Sequence, residues 1–244
     1  QELLAVEPEQ EADTAKDLVS VKGDIKFDDI TFRYDEGKSV LRHLTLEIEA
    51  GQTVALVGTS GGGKSTPCHL LPRFYDLDKG TIYLDCTDIT EFTRFSLRRQ
   101  IGIVQQDTFL FTGTIRDNIA YGDFDATDDA IIAAAKSAEI HDFISSLPDQ
   151  YDTLVRERGA MPSGGQKQRI SIARIFFKNP PIPIPDEATA ALDNTTEPAL
   201  QSALEKLRHG RTTLIVPHRL STLRRPDKIG VLAGRRSIES GLHQ

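Results

Sequence analysis

Residues 53–65 read Thr53-Val54-Ala55-Leu56-Val57-Gly58-Thr59-Ser60-Gly61-Gly62-Gly63-Lys64-Ser65. The first five form an apolar run that is typical of a buried parallel strand. The next eight match the phosphate-loop pattern of Gly, four residues, Gly, Lys and Ser or Thr. The alternative is a chance glycine-rich turn, and the strand before the loop and the helical stretch after it argue against that. The segment therefore predicts a strand, a nucleotide-binding loop and a helix.

The chemistry of this loop follows from its residue types. Glycine backbone forms a concave nest whose N–H groups face phosphate oxygens, and the helix that follows adds its positive end. Lys64 is expected to neutralise charge on the β- and γ-phosphates, and Ser65 to offer its hydroxyl to Mg²⁺. The loop residues predicted to bind the nucleotide are Gly58, Ser60, Gly61, Gly63, Lys64, Ser65 and Thr66.

A second acidic element lies well downstream, where Ile182-Pro183-Ile184-Pro185 precedes Asp186-Glu187. An apolar strand that ends in two acids is where phosphate-loop proteins hold magnesium and activate water. Asp186 is predicted to contact Mg²⁺ and Glu187 to polarise the attacking water. An Asp-Glu pair on its own is more often a solvated turn, and its place after two buried isoleucines favours the functional interpretation.

The acidity of the chain is concentrated at its start. The net charge of the 244 residues is −7, and residues 1–20 contribute −5 of it with six acids and one base. The remaining 224 residues carry only −2, which argues against a surface that binds nucleic acid. Residues 1–22 are interpreted as an acidic linker in a chain cut from something longer, and Arg98 and Arg99 as solvated helix charges.

Two other compositional features narrow the class of protein. Cys68 and Cys86 are too few for a disulfide framework or a zinc site, which favours reduced thiols. No apolar run approaches the ~18 residues needed to cross a bilayer. A soluble globular domain is expected.

Strand and helix patterns alternate along the rest of the chain, which implies an α/β fold with a mainly parallel sheet. Thr127 and Ser163 are placed to cap helices over 127–147 and 163–178. The remaining predicted strands cover residues 25–32, 44–48, 101–104, 212–216 and 228–232.

Ser163-Gly164-Gly165-Gln166 lies 23 residues before Asp186 and resembles the signature motif of ATP-binding-cassette (ABC) proteins. A serine hydroxyl, close-approaching glycine backbone and a helix N-terminus suit a second anion site. In order with the phosphate loop and the Asp-Glu strand, the motif identifies residues 23–244 as similar to an ABC nucleotide-binding domain. The resemblance implies that Ser163, Gly165 and Gln166 complete the ATP pocket of a partner domain.

Further landmarks match this family in the same order. Tyr34 resembles the aromatic residue that stacks on adenine, and Gln106 the glutamine that meets both Mg²⁺ and the transmembrane domain. Asp193, within Ala191-Leu192-Asp193, is similar to the loop that reaches across the dimer, and His218 to the histidine that contacts the γ-phosphate. Glu157-Arg158-Gly159 resembles a segment typical of exporters.

Residues 105–122 also look like multidrug and lipid exporters. The resemblance implies a phosphate-loop core, a small antiparallel β subdomain, and an inserted helical subdomain at about 107–163. It further implies that ATP and Mg²⁺ bind, that a second nucleotide-binding domain and transmembrane domains are the partners, and that hydrolysis powers export at the cytoplasmic face of a membrane. Glu187, His218 and Gln106 would be catalytic, and Ser65, Gln106 and Asp186 would hold the metal.

Prolines break the family pattern in what should be a central strand. Proline removes a donor from the strand ladder and is normally confined to sheet edges or bulges. Pro183 and Pro185 are two residues apart, so both missing donors face the same neighbouring strand. Pairing through Ile182 and Ile184 on the other side is expected to survive.

Other departures have smaller expected effects. Pro67 and Pro198 lie near helix starts, where a missing N–H costs little. Pro162 replaces the apolar leucine of the signature, and Pro217 constrains the backbone before the predicted histidine. Cys86 replaces a glycine and is strained if its φ is positive.

Two alternatives to an ATP-hydrolysing exporter domain stay open. The first is a cassette that binds ATP but hydrolyses it slowly or not at all, which the prolines motivate. The second is a soluble cassette protein that acts on nucleic acid or ribosomes, which the nearly neutral body disfavours.

Overall fold

A computed structural model describes residues 11–34, 37, 39–59, 61–105, 108–123, 125–155, 162–186, 197–217, 226–233 and 236–242. Within these ranges no helix has the length and apolar character that crossing a membrane requires. The two cysteines are free thiols, with Cys68 buried and Cys86 exposed.

The elements alternate much as the sequence predicts. The strands are β1 (Ile25–Phe32), β2 (Leu41–Ile48), β3 (Thr53–Gly58), β4 (Lys79–Leu84), β5 (Thr87–Asp88), β6 (Ile101–Val104), β7 (Gly113–Thr114), β8 (Leu154–Val155), β9 (Ile182–Pro185), β10 (Thr213–Ile215), β11 (Lys228–Ala233) and β12 (Arg236–Leu242). The α-helices are α1 (Thr66–Leu70), α2 (Arg94–Arg99), α3 (Ile115–Ile119), α4 (Asp128–Ser137), α5 (His141–Ser145), α6 (Gly164–Lys178) and α7 (Glu197–Arg208).

The first sheet is antiparallel, with strand order β2-β1-β4-β5. Buried and exposed residues alternate along β2, as expected for a sheet with one face on the core. Phe27 and Phe32 of β1 are almost fully buried beneath it. This sheet corresponds to the predicted antiparallel β region.

The second sheet contains the strand that precedes the phosphate loop. Its order is β10-β3-β11-β12, and β3 pairs in parallel with both β10 and β11. Val54, Ala55 and Leu56 at the middle of β3 are buried, which explains the unbroken apolar run of a strand covered on both faces. The predicted α/β fold with a mainly parallel sheet is confirmed.

Proline splits this parallel sheet at β9. On one side β9 pairs in parallel with β6, where Ile182 N donates to Gln100 O (3.1 Å) and Asp186 N donates to Val104 O (2.9 Å). The missing donors of Pro183 and Pro185 face the other way, toward β10. There the strands still lie side by side, but the described backbone pairing is a single bridge between Asp186 and Val216, and β9 and β6 form a separate two-stranded sheet. The predicted survival of the pairing on the isoleucine side is confirmed.

Replacing both prolines with leucine should raise the melting temperature, because each regained backbone hydrogen bond to β10 contributes about 0.5–1.5 kcal/mol. Differential scanning calorimetry of the double variant measures the effect. Pro198→Leu is the matched control, since Pro198 is exposed in the first turn of α7, where no ladder bond is gained. An unchanged melting temperature for the double variant would contradict the idea that the prolines weaken the sheet.

The prediction of one helix over 127–147 is wrong. Thr127 does cap a helix there, since its hydroxyl accepts a hydrogen bond from Ala130 N (3.4 Å), but α4 ends at Ser137. Glu139 adopts a left-handed conformation with φ +55°, and α5 starts at His141. The side chain of Glu139 accepts hydrogen bonds from Lys206 and Ser202 of α7, which stabilises the break.

The acidic linker predicted over residues 1–22, called the leader below, packs against the domain where the structure describes it, from residue 11 onward. The backbone of Lys16 exchanges two hydrogen bonds with the segment before α2: Lys16 N donates to Glu91 O (2.8 Å) and Thr93 N donates to Lys16 O (3.0 Å). Farther along, the carboxylate of Asp85 accepts from Lys22 N (2.7 Å), Gly23 N (3.0 Å) and Asp24 N (2.9 Å). The domain boundary at residue 22 stays a prediction, but Lys16 and residues 22–24 are held to the domain through hydrogen bonds of their main chain.

The side chain of Arg98 in α2 is bound to the segment that follows α1. Its guanidinium donates to Pro72 O (3.0 Å) and Arg73 O (2.8 Å) and lies 5.3 Å from the centre of the Phe74 ring. The interpretation of Arg98 as a solvated charge is therefore wrong, because the side chain fixes the turn that follows α1.

Cys86 lies in the hairpin between β4 and β5 and has the positive φ that was expected to strain a residue other than glycine. The two-residue loop of this hairpin has Asp85 at φ +49° and Cys86 at φ +64°, the signs of a type I′ turn. Aspartate tolerates this region because its short polar side chain bonds locally, whereas a left-handed conformation costs most residues about 1–2 kcal/mol.

Cys86→Gly should therefore stabilise the domain by about 1 kcal/mol, since glycine adopts positive φ without a steric cost. Denaturant unfolding followed by circular dichroism measures the change. Cys86→Ser keeps the Cβ atom and should show no such gain. Equal stability of the Gly and Ser variants would contradict the strain.

Candidate functional site

The phosphate loop joins the end of β3 to the start of α1, as predicted. Gly58 is the last residue of β3 and pairs with Leu232 of β11. Gly61 and Gly63 have φ values of +71° and +85°, and a Cβ atom at Gly63 would lie 3.0 Å from Val40 Cγ1. Glycine is therefore required at 63 by both backbone conformation and the close approach of the β1–β2 connection.

The side chains of Lys64 and Ser65 point to two different parts of the site. Lys64 Nζ donates to Thr59 O (3.0 Å), which holds the ammonium group over the loop. Ser65 Oγ donates to Asp186 Oδ1 (3.2 Å) at the end of β9. The structure thus brings together two elements that lie 121 residues apart in the sequence and that were predicted to share a magnesium ion.

Hard oxygen ligands are the donors that magnesium prefers, usually with several waters retained. The Ser65 hydroxyl and the Asp186 carboxylate, whose side chain is 14% exposed, supply such oxygens. The residues present therefore fit the predicted ion. Within the described ranges, this site included, no group of three or more His, Cys, Asp or Glu side chains is arranged to hold a metal, so the serine hydroxyl, the phosphates and water would have to supply the other ligands.

His69 was not predicted from the sequence. It lies one helical turn after Ser65, and its Nε2 is 3.9 Å from Asp186 Oδ2, on the carboxylate oxygen that Ser65 does not contact. The spacing of four residues on a helix is the signal that places both side chains on one face. His69 therefore borders the oxygen cluster.

Tyr34 lies beside the loop rather than free in solvent. Its hydroxyl donates to Thr66 Oγ1 (3.2 Å), and its ring meets Phe32 and Tyr75 edge-on, with centroids 4.9 Å apart in each pair. Burial is the main cause that raises the pKa of its hydroxyl. The predicted adenine stacking stays a prediction, and the location of Tyr34 next to the phosphate loop is compatible with it.

The signature residues lie at the start of a separate helix. Ser163 is the N-cap of α6: its hydroxyl accepts from Gln166 N (3.4 Å), while Gln166 Oε1 accepts from Ser163 N (2.8 Å). This reciprocal pair is a capping box, which stabilises the first turn. Gly165 is buried and Ser163 is exposed, so the cap presents its serine outward.

The neighbouring prolines are accommodated without disrupting these helices. Pro67 occupies the first turn of α1, and Pro162 is buried immediately before the Ser163 cap. The helix that follows the phosphate loop is nevertheless short, since α1 comprises only five residues.

Several predicted site residues lie outside the described ranges. They are Ser60, Gln106, Glu187, Asp193 and His218, together with Glu157-Arg158-Gly159 and Ala191-Leu192.

A family model described as "ABC transporter" matches residues 41–190. A relative from Bacillus subtilis, the uncharacterized ABC transporter ATP-binding protein YwjA, is 50% identical over 244 residues, which are 100% of this chain and 42% of that protein. Another Bacillus subtilis protein, YgaD, whose name proposes a multidrug export ATP-binding/permease protein, is 53% identical over 224 residues, covering 91% of this chain and 39% of its own length.

A solved structure of a bacterial Atm1-family ABC exporter with ATP bound superimposes with a TM-score of 0.89 at 47% identity. The match covers 96% of this chain and 41% of that one. The predicted fold and the resemblance to exporter-type nucleotide-binding domains are confirmed. The chain spans about two fifths of the length of the relatives it matches.

Proposed function

The chain belongs to the ABC transporter family, and on that premise we propose that it binds ATP with Mg²⁺ and hydrolyses the ATP to drive export across a membrane. ATP-binding domains of this family are ATPases, which gives the chain its enzyme class. The observation that carries the proposal is the hydrogen bond between Ser65 of the phosphate loop and Asp186 at the end of β9.

The roles of the described residues follow from their chemistry. The phosphate-loop backbone cradles the phosphates, and Lys64 neutralises the charge that builds up on the β- and γ-oxygens. Ser65 and Asp186 would hold Mg²⁺, and the ion would polarise the phosphates. His69 lies against the same carboxylate.

Glu187 follows Asp186 directly and is proposed as the general base. It accepts a proton from the water that attacks the γ-phosphorus, while the bond to the β–γ bridging oxygen breaks and ADP leaves. Gln106 and His218 complete the proposed site, the first at the metal and the second at the γ-phosphate. These three roles are supported by the family to which the chain belongs. They are also supported by the position of each residue in the sequence, shortly after a described segment that ends at Asp186, Gln105 or Pro217.

Dimerisation is part of the proposal. Two domains would associate about a two-fold axis, so that Ser163, Gly165 and Gln166 of one domain face the ATP of the other, with Asp193 beside them. The exposure of Ser163 at the start of α6 supports this arrangement. The transmembrane partners would come from the part of the relatives that this chain does not cover, and the domain would work at the cytoplasmic face, with residues 1–22 as linker and 107–163 as helical subdomain.

A binding-only cassette is the second candidate, and the split sheet favours it. Pro183 and Pro185 reduce the described backbone pairing on the β10 side of β9 to one bridge at Asp186, immediately before the proposed base. A misplacement of about 1 Å near the reacting atoms is enough to cost on the order of 100-fold in rate.

Calorimetric titration with Mg·ATP and phosphate release on the purified domain separate the two candidates. Lys64→Ala should weaken ATP binding about tenfold or more, since a hydrogen bond to a charged group contributes about 1.5–3 kcal/mol. Glu187→Gln should leave binding nearly unchanged and lower phosphate release at least about 100-fold.

Equal phosphate release by the parent and Glu187→Gln, with ATP bound by both, would favour the binding-only cassette. Unchanged ATP affinity in Lys64→Ala would contradict the nucleotide site itself. Arg99→Ala is the control, because it removes an exposed cation elsewhere on the surface.

A further inference from the structure

Gln100, the C-cap of α2, touches the leader through its side chain. Gln100 Nε2 donates to Leu18 O (3.3 Å), and Leu18 N donates to Ser96 Oγ (2.9 Å) on the same helix. Leu18 and Val21 also pack against the main hydrophobic core. The leader is thus bound to two side chains of α2 through the main chain of Leu18, and to the hydrophobic core through apolar contact.

The main chain of Gln100 touches the strand that carries the acidic pair. Gln100 O accepts from Ile182 N, the first residue of β9, and β6 begins at the next residue. Two strands therefore start at Gln100, and they run in parallel toward the nucleotide site. Their far ends are joined by the hydrogen bond from Asp186 N to Val104 O (2.9 Å), two residues before Gln106.

The C-terminal end of the signature helix meets the same junction. Lys178, the last residue of α6, donates from Nζ to Arg98 O (2.7 Å) and to Ile101 O (2.7 Å). The packing between β6 and the end of α6 is tight. A Cβ atom at Gly102 of β6 would lie 2.6 Å from Pro180 Cγ and 2.8 Å from Ile175 Cγ2. A displacement of the α2–β6 junction therefore also affects α6 and β9.

We propose that Gln100 is a positioning residue that couples docking of the leader to the nucleotide site, through β6 and β9 to Asp186 and through Lys178 to the signature helix. The inference rests on the proposed function for the identity of the ligand. Docking of the leader favours the strand arrangement that holds Asp186 against Ser65. ATP binding and leader docking then stabilise each other.

Coupling of this kind is reciprocal, because each event changes the free energy of the other by the same amount. If a docked leader strengthens ATP binding, bound ATP must lower the equilibrium constant for opening of the leader by the same factor. One net hydrogen bond limits the coupling to about 2- to 10-fold.

The experiment uses the full 244-residue chain with Glu187→Gln, so that ATP is not consumed. Hydrogen exchange followed by mass spectrometry compares peptides covering residues 61–70 and 16–24, with and without saturating Mg·ATP. The expected result is slower exchange in both regions. Gln100→Met removes the side-chain donor at similar length, and should weaken ATP binding about 2- to 10-fold and abolish the ATP response of residues 16–24.

Gln100→Lys retains a donor and should restore both effects. If Gln100 has a role in stability alone, Gln100→Met will have a lower melting temperature, and residues 16–24 of the parent will show no change in exchange when ATP binds. That pair of results would overturn the proposal. Protection of residues 61–70 with unchanged exchange at 16–24 would overturn the coupling and leave the proposed function intact. No protection at 61–70 would overturn the proposed function, and the coupling with it.

Discussion

The contact between Ser65 and Asp186 depends on how β9 is held in the sheet. A strand inside a sheet normally bonds to a neighbour on each side, whereas among the described residues β9 has a ladder only with β6. The hydrogen bond from Asp186 N to Val104 O fixes the end of that ladder, one residue beyond Pro185. The position of the acidic pair relative to the phosphate loop is therefore determined mainly by β6, with the bridge to Val216 as the only described backbone pairing toward β10.

This one-sided attachment explains why two prolines are compatible with the fold. Ile182 and Ile184 are fully buried, and both belong to the main hydrophobic core. Burial of apolar side chains contributes about 1.5–3 kcal/mol each, which exceeds the net contribution of the backbone bonds that the prolines remove. Side-chain packing thus keeps β9 in the fold although its backbone hydrogen bonding is incomplete. The end of β9 is fixed by fewer backbone hydrogen bonds than a strand paired on both sides.

The sequence was most informative where local chemistry and periodicity agree. The β3 run, the phosphate loop and the Ser163 cap of α6 were placed correctly because each combines a residue pattern with its own start or stop signal. The break at Glu139 was not predictable in this way, since the helical pattern continues through it and the compensating bonds come from α7, more than 60 residues away. The contact of His69 with Asp186 and the docking of the leader were not predicted for the same reason, because the contacting residues are distant in sequence.

The position of β6 between two cores gives the α2–β6 junction its significance. Ile101 at the start of β6 belongs to the core formed with the sheets, whereas Val104 at its end belongs to the core formed with α3, α4, α6 and α7. Protein interiors are close-packed, so a shift of one core relative to the other must be absorbed at elements that enter both. In the proposed coupling, β6 is the element that would carry such a shift, because its first residue lies in one core and its last residue, Val104, lies in the other.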